Sequence, residues 1–206
     1  MQPQVRVKLY MLVSGLFDEP EAISGDFHFS LVAKLLQDAP AEWPYRGILE
    51  ALERDLLAET DSGRLATEYD HLFVSGPGGA MVPPRGDFWL RGGAARDARE
   101  LMANYGLALF GNAPEHADHL VTELEFMACL VAEDSDTRDL QRYFLRRHLA
   151  RWLPRFAEAV FAEARLPRYR LAASLLAKLI AVESELLGRS APVRESYDES
   201  QVLQAA

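Results

Sequence analysis

Hydrophobic side chains recur every three or four residues along most of the chain. Three such stripes are formed by Leu120, Leu124, Met127 and Val131, by Phe144, Leu149, Trp152, Phe156 and Val160, and by Leu171, Leu175, Leu179, Val182 and Leu186. Residues with this spacing share one face of an α-helix, so each stripe predicts a helix with one buried side. Because glycine favours the end of a helix, we expect the last of these helices to end at Gly188.

The same period predicts further helices earlier in the chain. They cover residues 5–17, 27–37, 45–57, 64–73 and 94–105, and Asp61 is a candidate N-terminal cap for the fourth. Pro154 cannot donate a backbone hydrogen bond, so we expect it to kink or break the long helix 138–164 near Leu153. No segment keeps the two-residue alternation of a β-strand. The sequence therefore predicts an all-α fold, a single globular bundle of about eight to ten helices.

One segment, residues 75–87, interrupts the helical pattern with four glycines and three prolines. A long Gly/Pro-rich loop inside a compact domain is usually functional, although it could also be a simple spacer. We expect residues 1–190 to form one domain, with two helical halves joined near residues 75–90. Residues 191–206 are polar and are expected to form a flexible tail.

The chain of 206 residues carries a net charge of −9 that is unevenly distributed. Residues 1–135 contain 22 acidic and 10 basic side chains, whereas residues 136–170 contain nine arginines and four acidic side chains. An acidic body disfavours nucleic acid, whose phosphates require a basic surface. The arginines of the second segment predict either a solvated outer face or a surface for an acidic partner.

The apolar segments are too short for a membrane protein. None approaches the ~18 residues needed to span a bilayer, and no signal-peptide cleavage site follows the apolar residues 9–17. We therefore expect a cytoplasmic protein that is neither exported nor integral to a membrane.

Few patterns in the chain suit catalysis. The glycine-rich loop lacks the Gly-Lys-Ser/Thr of a phosphate-binding loop, and no Gly-x-Ser-x-Gly nucleophile motif occurs. Glu68 and His71 have the spacing of metal ligands on a helix, as have His116, His119 and Glu123. A nucleotide cradle and a metal site therefore stay open as alternatives to a protein that only binds a partner.

Two patches combine aromatic, leucine and methionine side chains with carboxylates. The first covers residues 68–73 and 83–89 on either side of the loop, and the second covers residues 114–127. The apolar groups would bury a hydrophobic stretch, and the acids would meet positive charges. The patches therefore predict a groove for an amphipathic, cationic peptide.

At these patches the chain resembles the TorD/DmsD/NarJ family of redox-enzyme maturation chaperones. The first signature is Tyr69-x-x-Leu72-Phe73 followed by Pro83-Pro84, and the second is Pro114-Glu115-x-x-Asp118-His119-Leu120 followed by the helix 123–127. The resemblance implies an all-α fold without catalytic turnover. It also implies binding of the twin-arginine leader of an apo molybdopterin oxidoreductase subunit, so that export waits until the cofactor is inserted.

The resemblance also places the residues that would contact the leader. Asp118 and His119 match the family's recognition pair, although Asp118 could instead cap the helix that begins near Val121. Asp87 and Trp89 depart from the small hydroxyl residue and the tyrosine of many relatives, which leaves the client open. The predicted peptide-binding residues are Tyr69, Leu72, Phe73, Pro83, Pro84, Asp87, Trp89, Asp118, His119, Glu123 and Phe126.

Three further expectations follow from the resemblance. The chaperone needs no cofactor, with GTP as the alternative because some relatives have been connected to guanine nucleotides. Its partners are the leader and the apo catalytic subunit. It is a monomer or a dimer that exchanges helical halves across residues 75–87.

Overall fold

The computed structural model of the chain describes residues 1–20, 25–37, 39–58, 61–74, 79–90, 93–105, 117–133 and 137–188. The α-helices, in chain order, are α1 Pro3–Leu16, α2 Gly25–Gln37, α3 Arg46–Leu57, α4 Ser62–Tyr69, α5 Gly86–Trp89, α6 Ala94–Asn104, α7 Leu120–Ala132, α8 Arg138–Phe144, α9 Ala150–Glu163 and α10 Pro167–Gly188. π-Helical turns extend α4 over Asp70–Val74 and join α8 to α9 over Leu145–Leu149. The tail and the first residues of the Gly/Pro loop, 75–78, lie outside the described residues.

The predicted all-α class is confirmed. The described residues contain no β-strand, and the one β-type contact among them is an isolated antiparallel bridge between Arg85 and His119. Asp61 caps α4 as predicted, because its carboxylate accepts a hydrogen bond from the backbone N–H of Gly63 at 2.8 Å. α10 ends at Gly188, also as predicted. Within the described ranges, no helix is both long enough and apolar enough to cross a bilayer.

Helix α1 is at the centre of the core and is buried along most of its length from Arg6 onward. It packs against α7 and α10, and α10 also contacts α3 and α9. Two of the three predicted stripes, those on α7 and on α8–α9, are buried as expected. The third is displaced, since α10 contacts several helices at once and buries a broader face that includes Ala172, Leu176 and Leu187, while Leu171 and Leu186 are only partly buried.

Of the two expected effects of Pro154, a kink or a break near Leu153, the break is wrong. α9 runs without interruption from Ala150 to Glu163 with Pro154 inside it, and the irregularity is the π-helical turn that precedes α9. Pro154 deprives the carbonyl of Ala150 of its usual donor, and Ala150 is the first residue of α9. The proline therefore alters the hydrogen bonding one turn before its own position.

A buried polar network crosses this core. The guanidinium of Arg6 makes two hydrogen bonds to the carboxylate of Glu183, at 2.6 and 2.8 Å, and both side chains are fully buried. Tyr10 donates to the same carboxylate at 3.1 Å, and Gln141 accepts from Arg6 at 2.8 Å. Gln141 in turn donates to the backbone carbonyl of Leu130 at 3.0 Å. The network thus joins α1, α7, α8 and α10.

Replacing Glu183 with glutamine should lower the unfolding free energy by about 3–5 kcal/mol, because Arg6 would keep its charge in the core without an anionic partner. Urea denaturation measures this loss. The matched control is Glu50→Gln on α3, since Glu50 pairs with Arg46 at 3.1 Å and both side chains are partly exposed. That change should cost less than about 1 kcal/mol. Equal losses for the two variants would show that the buried network does not stabilise the bundle.

Candidate functional site

Backbone hydrogen bonds bring the two sequence patches together. The N–H of Leu120 donates to the carbonyl of Pro84 at 2.9 Å, and the N–H of Gly86 donates to the carbonyl of Asp118 at 2.8 Å. A third bond, from Val82 to the carbonyl of Leu72 at 2.8 Å, attaches the end of the α4 segment. Residues 84–86 and residues 118–120 are therefore fixed side by side, immediately before and at the start of α5 and α7.

The side chain of Asp118 stabilises the junction, by which we mean the pairing of residues 84–86 with residues 118–120. This side chain is fully buried. One carboxylate oxygen accepts from the N–H of Asp87 at 2.9 Å, and the other accepts from the guanidinium of Arg85 at 3.2 Å. The alternative role of Asp118 as the cap of α7 is wrong, because its carboxylate faces residues 85–87. His119 is the N-cap instead, and its Nδ1 accepts from the N–H of Val121 at 3.4 Å.

An unbroken series of aromatic contacts leads from the core to the surface beside this junction. Phe73 packs against Tyr69 with ring centroids 5.2 Å apart and stacks on Phe156 at 6.1 Å. Phe156 contacts Trp89 at 6.1 Å, and Trp89 contacts Phe88 at 5.3 Å. The indole N–H of Trp89 donates to the carbonyl of Pro83 at 2.8 Å, which fixes the ring over the double proline.

The last ring of the series is exposed. Phe88 presents 65% of its surface to solvent, and Met81 presents 47%. Pro83 and Pro84, which lie between them in sequence, and Trp89, which follows Phe88, are partly exposed. We call these five residues the aromatic surface. Exposed apolar side chains held in one place by buried neighbours are typical of an interaction site.

The eleven predicted residues divide into a supporting layer and an accessible layer. Pro83, Pro84, Asp87, Trp89 and His119 are at least partly accessible. The remaining six are buried. A partner that docks on this face would therefore contact the accessible side chains, and the buried six would only hold those side chains in position. They are Tyr69, Leu72, Phe73, Asp118, Glu123 and Phe126.

Two cavities of about 310 and 300 Å³ in the described part of the chain are both lined by Asp61, Arg64 and Leu166, and neither is lined by a residue of the aromatic surface. A partner at the aromatic surface would therefore rest on a face of the protein.

Glu123 belongs to a buried cluster beneath the site. Its carboxylate lies 2.5 Å from Nε2 of His148 and accepts from the indole of Trp152 at 3.0 Å. Burial raises the pKa of Glu123 from 4.5 to about 7, against the opposing effect of His148. Burial alone lowers the pKa of His148, but the hydrogen bond and charge of Glu123 raise it above its ordinary 6.5. The pair therefore retains a proton more firmly than the unfolded chain.

The charged groups around the aromatic surface differ in sign. Burial, together with the charges of Glu19 and Asp18, raises the pKa of Tyr69 to about 12. Asp87 adds an exposed carboxylate on α5. The guanidinium of Arg155 on α9, in contrast, lies over the ring of Trp89, 5.7 Å from its centroid. The aromatic surface is thus bordered by acidic and basic groups.

The groups weighed for metal binding have other partners. Glu68 accepts backbone hydrogen bonds from Arg165 and, at 3.3 Å, from Leu166. Among the residues that the structure describes, no group of three or more His, Cys, Asp and Glu side chains could hold a metal ion. Pro114, Glu115 and His116 lie outside the described residues.

Several residues of the site were not predicted from the sequence. Phe88 belongs to a predicted patch but not to the predicted contact residues, although an aromatic side chain beside Gly and Asp in a loop was a usable signal. The pairing of Glu123 with His148 and Trp152 had no signal, since it joins residues 25 and 29 positions apart on different helices.

The comparisons with known proteins agree on one family. A family model described as the nitrate reductase delta subunit matches residues 37–158. The selenate reductase assembly chaperone of Thauera selenatis is 31% identical over 87% of this chain and 97% of its own. The chlorate reductase assembly chaperone of Ideonella dechloratans is 30% identical over 85% and 95%. The chaperone protein TorD of Vibrio cholerae is 27% identical over 74% and 78%.

A solved structure has the same fold. The crystal structure of a protein described as a redox enzyme maturation protein, from Archaeoglobus fulgidus, superposes with a TM-score of 0.53 at 21% identity. The match covers 89% of this chain and 94% of the other. The relatives found by sequence are named as assembly chaperones and not as catalysts, in agreement with the expectation of a protein without catalytic turnover.

Substituting Asp118 with asparagine should loosen the junction. The amide group would place an N–H₂ against either the partly exposed guanidinium of Arg85 or the backbone N–H of Asp87, so one of these two donors would lose its acceptor, at a cost of about 1–3 kcal/mol. Urea denaturation would measure the loss. The control is Glu133→Gln at the exposed C-cap position that follows α7, with an expected change within about 0.5 kcal/mol. An Asp118 variant as stable as this control would contradict the anchoring role.

The Glu123–His148 pair predicts a particular pH dependence. Glu123 binds a proton in the native state between pH 4.5 and about 7, where the unfolded chain has released it, and His148 does so above 6.5. The unfolding free energy should therefore fall as pH rises through this window, by up to about 1.4 kcal/mol per pH unit. Urea denaturation from pH 5 to 8 should show a shallower fall in Glu123→Gln. If the unfolding free energy fell equally steeply with pH in the wild-type protein and in Glu123→Gln, Glu123 would not be the group that retains the proton.

Proposed function

The chain belongs to the TorD/NarJ family of redox-enzyme maturation chaperones, and we propose that its client is the apo catalytic subunit of a molybdopterin oxidoreductase, recognised through a twin-arginine leader. The protein acts in the cytoplasm and has no catalytic turnover. It binds the leader while the cofactor is inserted and so delays export. Its relatives are chaperones for the assembly of selenate and chlorate reductases, which supports a reductase as the client class.

The observation that carries the proposal is the exposed aromatic surface fixed by the backbone pairing of residues 84–86 with residues 118–120. An exposed phenylalanine costs solubility and adds nothing to the core. Its ring is nevertheless held in place by Trp89, which is itself fixed by Pro83. Such a preorganised apolar face suits the hydrophobic stretch of a leader, since little ordering of the receptor is needed on binding.

The surrounding acids supply the second half of the recognition. Asp87 lies on the same short helix as Phe88 and Trp89, and the charges of Glu19 and Asp18 act on the buried Tyr69. Two adjacent arginines would find carboxylates at the border of the apolar face, and arginine pairs well with carboxylates. His119 is accessible at the start of α7 and completes the predicted contact group.

The proposal requires no bound nucleotide or metal, and it is compatible with a monomer. The exchange of helical halves across residues 75–87 stays a prediction, because part of that segment lies outside the described residues.

Replacing Phe88 with alanine should weaken leader binding at least tenfold, because the substitution removes the most exposed apolar contact while leaving the buried series of rings intact. The probe is a synthetic peptide with two adjacent arginines followed by an apolar stretch, and isothermal titration calorimetry gives the Kd. The matched control is Phe161→Ala on α9, where the ring is 53% exposed but is not part of the aromatic surface. This control should keep the wild-type Kd.

Three results would contradict the proposal. They are no binding of the peptide to the wild-type protein, an equal loss in the two alanine variants, and an unchanged Kd when the two arginines of the peptide are replaced by glutamine. The last result would remove the acidic border from the recognition.

A further inference from the structure

Three arginines form an exposed strip that leads away from the aromatic surface. Arg147 lies in the π-helical turn before α9, and Arg151 and Arg155 lie on α9 at intervals of four residues. All three side chains are exposed. Arg151 donates to the backbone carbonyl of Arg147 at 3.4 Å, so the first two are neighbours along the strip.

Three other arginines of this segment have structural partners. Arg142 donates to the carbonyl of Leu187 at 2.9 Å, Arg168 pairs with Asp55, and Arg170 donates to the carbonyl of Ala164 at 2.7 Å. Within the described part of the chain, Arg151 and Arg155 have no carboxylate partner. Like charges four residues apart on a helix repel each other. Arg151 and Arg155 therefore repel each other on α9 without an ion pair from the described residues that offsets the repulsion, in a chain whose net charge is −9.

The strip is continuous with the candidate site. Arg155 is its end nearest to α5, where the guanidinium lies over the ring of Trp89. A peptide that covers Phe88 and Trp89 and continues past Trp89 would run along α9. The leader's own arginines would be repelled there, so the part of the client that reaches the strip must have a different charge.

We propose that the arginine strip binds an acidic segment of the client polypeptide that follows the hydrophobic stretch of the leader. This inference rests on the proposed function. Guanidinium groups pair with carboxylates through two parallel hydrogen bonds, which favours an acidic peptide. An anionic membrane surface would meet the remaining negative charge of the protein, so it is the less favourable partner.

The strip covers about 12 Å of helix axis, a length that about four residues of an extended peptide can follow. Three fluorescein-labelled peptides are therefore compared by anisotropy. The first is the leader segment alone. The second adds a carboxyl-terminal extension of about eight residues that alternate glutamate with serine, and the third adds a Gly/Ser extension of equal length. The acidic extension should lower the Kd of the wild-type protein about tenfold relative to the neutral one.

In Arg147→Glu/Arg151→Glu that gain should disappear, while the leader alone keeps its Kd within about twofold, since neither residue contacts Trp89. The second variant, Arg147→Gln/Arg151→Gln, introduces no negative charge and should also lose most of this gain in affinity. It shows whether the loss in the first variant comes from a folding defect caused by the new carboxylates. The control Arg54→Glu/Arg64→Glu changes the net charge equally at exposed positions on α3 and α4 and should retain the full gain.

The outcomes separate the two proposals. If the leader alone fails to bind the wild-type protein, the proposed function is wrong. If the leader binds but the acidic extension gives no gain, or if the gain persists in both Arg147/Arg151 variants, the strip has no role in client binding. Binding to phosphatidylglycerol vesicles that the strip variants abolish, without a gain from the acidic extension, would assign the strip to a membrane surface instead.

Discussion

The site depends on one short backbone pairing, in which residues 84–86 lie antiparallel to residues 118–120. Two hydrogen bonds and the buried carboxylate of Asp118 make this contact. It places α5, and with it Phe88 and Trp89, at a fixed position beside α7 and α9. Without the pairing, residues 79–90 would be a connection with few attachments, and the exposed rings would have no preferred orientation. The pairing therefore gives residues 84–86 of the Gly/Pro-rich loop a fixed position and orients the aromatic surface.

The interior carries a polar network that would be costly if it were incomplete. Arg6 and Glu183 satisfy each other's charges, and Gln141 uses both its carbonyl and its amide group. A buried ion pair does not stabilise a fold more than apolar packing of the same volume, but it tolerates few alternative arrangements. Since the network joins α1, α7, α8 and α10, we infer that it selects one packing of otherwise similar apolar helices. The second buried pair, Glu123 with His148, makes a similar connection between α7 and the turn before α9.

Much of the fold could be predicted from the sequence because helix formation is local. The stripes on α7 and α9, the cap at Asp61 and the stop at Gly188 each depend on residues a few positions apart. What failed depended on distant partners. Glu183 lies within an apolar helix, and its partner Arg6 is 177 positions away, so no pattern could reveal the pair. Asp118 resembles a helix cap in sequence, yet its carboxylate turns towards residues 85–87, while His119 takes the capping role. For the same reason the sequence could group the site residues but could not separate the buried supports from the accessible contacts.

The charges around the aromatic surface differ from one side to the other, so they distinguish the two orientations in which a peptide could bind. Residues two apart in a helical turn point to different sides, so Asp87 and Trp89 project differently from α5, and Arg155 occupies the side of Trp89. A uniformly acidic border would attract any basic segment in either orientation. With arginines on one side, a peptide placed backwards would set its own arginines against Arg155 and Arg151. Specificity is a difference between affinities, and a repulsive element can supply as much of it as an attractive one. For the proposed leader, the arrangement therefore favours a single polarity, with the positive end towards Asp87 and the chain continuing along α9.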